Sequence, residues 1–88
     1  MGKLSWASGD LETIKSRLED EDYSGINDDF DYAIETILEH ITESSNPEIV
    51  KDIVGKLKEI KQKIHNYDFY DNMIDDMQDI IDEFEKAT

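Results

Sequence analysis

The chain has no cysteine, a single proline, two histidines and only nine lysines and arginines among 88 residues. Without cysteine no disulfide can brace the fold, which suits a reducing cytosol. The same absence removes a thiolate nucleophile, and neither His40 nor His65 stands in a nucleophile, zinc-ligand or Glu-x-x-His context. No glycine-rich phosphate loop is present. Carboxylates abound, but solvated acids keep ordinary pKa values and seldom act as general acids. The expectation is a chain that is not an enzyme, with no catalytic residue, no metal and no cofactor.

Long apolar runs are missing too. No 18 consecutive residues are apolar, and no basic segment followed by an apolar run opens the chain, so no membrane span and no Sec-type signal are expected. Gly2 follows Met1, yet Trp6 stands where a myristoylation motif needs Ser or Thr. These absences lead to the expectation of a soluble, cytoplasmic, single-domain protein.

What dominates instead is acid. The formal charge is −14, from 23 Asp and Glu against nine Lys and Arg. Such a balance opposes direct binding to nucleic acid or anionic membrane and favours a basic protein partner. The charge is uneven: residues 1–46 hold 12 acids and 3 bases, residues 47–65 hold 3 and 5, and residues 66–88 hold 8 and 1. One mildly basic segment lies between two acidic ones.

Apolar periodicity of three and four residues, repeated along the chain, argues for helices and against disorder. Leu11, Ile14 and Leu18 predict a short first helix at about 10–19, capped by Ser8 or Asp10, with Trp6 as a lid on the bundle. Phe30, Ala33, Ile34, Ile37, Leu38 and Ile41 line the inner face of a second helix at 28–44, with Asn27 or Asp28 as its cap. Glu35, Glu39 and Glu43 form an acidic ridge on its outer face. Asn46 and Pro47 mark the start of a third helix at 47–65, since proline suits the first helical position. Its seam is Val50, Ile53, Leu57, Ile60 and Ile64, flanked by Ile49 and Val54, and Gly55 would permit close helix approach. Tyr70, Met73, Ile74, Met77, Ile80, Ile81 and Phe84 stripe a fourth helix at 69–86, with Asp68 as cap and Asp71 as capping-box acid. Short connections make these an all-α, antiparallel four-helix bundle, its core carried mainly by the last three helices.

Three binding surfaces can be read. Asp20, Asp22, Ser24, Gly25, Asp28 and Asp31 fall at positions one, three, five, six, nine and twelve of an EF-hand-like calcium loop. The alternative is an acidic turn with Gly25 in a left-handed conformation. Asp71, Asp75, Asp79 and Asp82 form a second carboxylate ridge, which together with the glutamates suits a phage-type DNA mimic. Lys56, Lys61 and Lys63 can reach acids on neighbouring helices and neutralise part of it. Finally, Tyr67, Asp68, Phe69, Tyr70 and Asp71, with Asp75 beyond them, mix aromatics and acids as an anchor for a basic partner would.

On these features the chain resembles the small acidic immunity proteins of the colicin and contact-dependent growth inhibition systems. In the nuclease-colicin branch an acidic residue followed closely by two tyrosines and a proline contacts the toxin. Asp68 and Tyr70, with Tyr67, are the matching elements here, although the tyrosines are not adjacent and no proline follows. The resemblance implies an inhibitor that neutralises a basic toxin, a nuclease domain above all.

Overall fold

The computed structural model describes residues 3–88 and contains four α-helices: α1 (Trp6–Glu19), α2 (Ile26–Glu39), α3 (Pro47–His65) and α4 (Met73–Ala87). A 3-10 turn at Lys3–Ser5 leads into α1 and another at Ile41–Glu43 links α2 to α3. Met1 and Gly2, including the acylation position considered above, lie outside the described residues. The helices pack in a closed ring in which α1 touches α2 and α4, and α3 touches the same two. Hydrogen bonds from Leu4 to Glu43, from Ser45 to Ala87 and from Asn27 to His65 join the start of one helix to the end of its neighbour. The fold is therefore an antiparallel four-helix bundle, 34 Å in its longest dimension.

The first helix is not short. Leu4, Ala7, Leu11, Ile14 and Leu18 are all buried at alternating spacings of three and four, so α1 and the 3-10 turn before it present a continuous seam that joins the core with the other three helices. Fully burying a side chain such as Leu4 is worth ~1.5–3 kcal/mol, more than the ~1 kcal/mol that Gly9 costs inside the helix. Ser8 and Asp10 are thus helical residues, not caps. Leu4, not Trp6, closes the bundle: Trp6 is 65% exposed, with Lys3 Nζ 5.9 Å from its ring centroid.

The second helix begins at Ile26, ahead of position 28, and Gly25 opens it in the left-handed region at φ 69°. It ends at Glu39, five residues before position 44, where His40 leaves helical geometry. Leu38, expected to face inward, is 47% exposed, and Ile41 reaches the core only partly, from the 3-10 turn. The acidic ridge of α2 is shortened accordingly. Glu43 leaves it to accept a hydrogen bond from the Leu4 N–H at 3.0 Å, while His40 Nδ1 lies 3.2 Å from its other oxygen.

The third helix occupies the expected span, and its Asn46 side chain accepts from the Ile49 N–H. Gly55 marks no close approach, for a Cβ there would meet nothing within 4 Å. The fourth helix starts at Met73 instead of 69, with Asn72 at its N-cap position, so Asp68 and Asp71 lie outside it. Asp75 and Asp76 fall in the first turn of α4, where the positive end of the helix dipole favours carboxylates. Of the predicted aspartate ridge only Asp79 and Asp82 carry the full cost of mid-helix like charges.

Candidate functional site

The two ends of the bundle are built differently. At one end short polar side chains bond backbone groups left over at helix termini. Ser44 Oγ, Ser45 Oγ and the Ser45 N–H all donate to the Ala87 carbonyl, at 2.7, 3.0 and 2.9 Å, and Ser44 Oγ accepts from the Asn46 N–H at 2.9 Å. With Glu43 on the Leu4 N–H, that end bonds several of its terminal donors and acceptors internally.

The opposite end holds the α1–α2 connection, residues 20–25, and the α3–α4 connection, residues 66–72. Both helices entering it stop in the same motif. After α1 the Asp22 N–H donates to Arg17 O at 2.9 Å and Glu21 N–H to Leu18 O at 3.2 Å. After α3 the Asp68 N–H donates to Lys63 O at 2.7 Å and Tyr67 N–H to Ile64 O at 3.0 Å. These paired bonds define the Schellman ending, whose left-handed residue is usually glycine. Here it is Glu21 at φ 56° and Tyr67 at φ 57°. A left-handed conformation costs an L-residue roughly 1–2 kcal/mol, and the Tyr67 side chain returns none of it to the core, being 84% exposed.

Between the connections the rings of Tyr23 and Phe69 pack 4.6 Å apart at 32°. With Tyr70 they line a groove of about 250 Å³, together with Leu18, Met73 and Ile74 and the acidic residues Glu19, Glu21 and Asp71. Tyr23 and Phe69 remain 37% and 42% exposed. Lys15 lies 3.4 Å from Glu19, whereas Glu21, Asp68 and Asp71 form no ion pair among the described residues.

Tyr70 has another role. Its hydroxyl donates to Asp76 Oδ2 at 2.7 Å, and Lys63 Nζ lies 4.6 Å from the ring centroid. Burial first, then the bond to Asp76 and the charges of Asp76 and Glu59, push its pKa up to about 12, so it stays a donor at neutral pH. Tyr70 therefore ties the second connection to α3 and α4 and is half-buried. Of the expected cluster, Tyr67, Asp68, Phe69, Tyr70 and Asp71 lie at the aromatic end on the connection, Tyr70 packing partly against the core, and Asp75 sits on the first turn of α4. The structure adds Glu19, Glu21 and Tyr23, which lie 46 or more residues from Phe69 to Asp71 and share no local pattern with them.

Arg17 holds the first connection. Its guanidinium bonds Asp29 and the Ser24 carbonyl, and its Nε lies 3.4 Å from Asp22. The twelve residues from Asp20 to Asp31 do not form one loop. α2 takes Asp28 and Asp31 onto a helix, Asp31 pairs with Lys61, and the charge drawing Asp22 and Asp29 together is the chain's own arginine. Among the described residues no group of three or more His, Cys, Asp or Glu is arranged to hold a metal ion.

Of the lysines expected to neutralise the aspartate ridge, Lys56 lies 3.3 Å from Glu83, Lys61 bonds Asp31 and Lys63 covers Tyr70. None pairs with Asp75, Asp79 or Asp82. Among the described residues no helix is long and apolar enough to cross a membrane. Compared with protein-family models, curated proteins and solved structures, the chain matches none.

Proposed function

We propose that the protein is a cytoplasmic immunity protein that binds a basic bacterial toxin, a nuclease domain, through the aromatic end of the bundle. The observation that carries the reading is Tyr67: a large aromatic, almost wholly exposed, held in a backbone conformation that glycine would adopt with less strain. Strain of this kind clusters at functional sites, and aromatic side chains supply most interface anchors. The same end of the bundle carries Phe69, Tyr23 and the carboxylates of Glu21, Asp68 and Asp71, which form no ion pair among the described residues. A nuclease needs Lys and Arg to grip phosphate, so a face of this chemistry complements it, speeds association and occludes its substrate. The reading assigns no catalysis and no cofactor, and the two histidines lie at opposite ends of the bundle.

The test is to locate a large secreted toxin encoded beside this chain, purify its nuclease domain and measure cleavage with the protein in excess. Inhibition that Tyr67→Ala weakens at least tenfold is expected. Full nuclease activity in the presence of the protein overturns the proposal. Inhibition weakened equally by Glu35→Gln, Glu39→Gln and Tyr67→Ala favours diffuse mimicry of DNA instead.

A further inference from the structure

Resting on that reading, we propose that the groove lined by Tyr23 and Phe69 is a socket for one arginine side chain of the protein partner. Its volume of about 250 Å³ lies below the ~300–1,000 Å³ of small-molecule sites, so a side chain suits it better than a cofactor or metabolite. Its composition fits the two parts of that side chain. Leu18, Met73 and Ile74 offer an apolar floor for the aliphatic stem, which is how long cationic side chains pack on apolar surface. Tyr23 and Phe69 pack on each other and line the same groove, which leaves the outer face of each ring for a cation. Glu21 and Asp71 line the groove and form no ion pair among the described residues, while Lys15 already pairs with Glu19.

Arginine is favoured over lysine on geometry. Its guanidinium is flat, stacks on aromatic rings and binds carboxylates through two parallel N–H donors, whereas an ammonium is a compact, strongly hydrated charge. The floor belongs to helices α1 and α4, and Arg17 and Tyr70 brace the connections above it. The socket is thus a feature of the free protein.

The probe is N-acetyl-arginine methylamide, titrated into the whole 15N-labelled chain and followed by amide chemical shifts. Lysine and citrulline analogues serve as comparisons, citrulline matching arginine in shape without its charge. Shifts at Glu21, Tyr23, Phe69, Met73 and Ile74 should follow one saturating curve with Kd on the order of millimolar, the range expected for a single side chain. Citrulline and lysine should bind at least fivefold more weakly. Glu21→Gln with Asp71→Asn should abolish saturation while leaving the remaining spectrum in place. Equal shifts with lysine and arginine, or shifts spread over Glu35, Asp79 and Glu85, overturn the socket. A toxin still neutralised through Tyr67 when the probe fails removes the socket and keeps the inhibitor; a selective socket in a chain that neutralises no nuclease removes only the inhibitor.

Discussion

Glu21 and Tyr67 occupy the same position of the same helix ending, at φ 56° and 57°, on the two connections that share one end of the bundle. Replacing either by glycine removes a steric penalty of roughly 1–2 kcal/mol, offset in part by the greater freedom of glycine in the unfolded chain. Tyr67→Gly should therefore stabilise the protein by about 1 kcal/mol, which for a domain of this size raises the melting temperature by ~4–8 °C. If the protein is the toxin inhibitor proposed above, the same variant should weaken toxin binding by ~2 kcal/mol, as loss of an aromatic anchor does. Calorimetric melting and titration on one sample check both signs. A variant that loses stability shows the tyrosine to be a fold residue.

Much of the bundle could be read from local pattern, and the parts that could not have a common cause. Val50, Ile53, Leu57, Ile60 and Ile64 repeat within one helix, and all are buried as their spacing requires. Asn46 and Pro47 start α3 where cap chemistry says they should. The end of α2 was unreadable because it depends on Glu43 turning back to a backbone donor 39 residues away. Tyr23 escaped the site for the same reason: its meeting with Phe69 follows from the diagonal helices α1 and α3 both ending at one end of the bundle, which no local spacing records. Tyr70 shows the converse. Its sequence neighbours suggest a surface anchor, but Asp76 and Lys63 draw it inward.

That inward commitment has a pH signature. A tyrosine ionises near 10 in an unfolded chain, while Tyr70 is held up to about 12. The folded state thus retains a proton that the unfolded state gives up between these values. Stability from this group is complete below pH ~10 and is lost as pH rises through 12. Urea melts between pH 8 and 12 should show that decline, Tyr70→Phe should flatten it, and absorbance titration should find one tyrosine ionising later than the others. A decline unchanged by Tyr70→Phe assigns it elsewhere.

Arg17 positions the first connection without touching the groove. Arg17→Lys keeps the charge but cannot reach Asp22, Asp29 and the Ser24 carbonyl together, because lysine lacks the planar fork. Melting should change little, since the pairs are at the surface. Amide exchange across residues 21–25 should accelerate, and the shifts of Phe69 should move as its ring partner loosens. Under the proposed function, toxin affinity should fall several-fold through a faster off-rate. Unchanged exchange at Tyr23 denies Arg17 this role.

Three glycines separate backbone need from habit. A Cβ at Gly9, Gly25 or Gly55 would meet nothing within 4 Å, so only conformation distinguishes them. Gly9 and Gly55 sit inside helices, where alanine is preferred by ~0.5–1 kcal/mol. Gly25 starts α2 at φ 69°, where a side chain is strained. Gly9→Ala and Gly55→Ala should each raise stability by that amount and add when combined, since they lie on the diagonal pair α1 and α3. Gly25→Ala should lower it by ~1 kcal/mol or more, despite the same open surroundings. Chemical denaturation of the three single variants and the Gly9/Gly55 double variant measures all four. A destabilised Gly55→Ala means that another surface rests on α3 at that point.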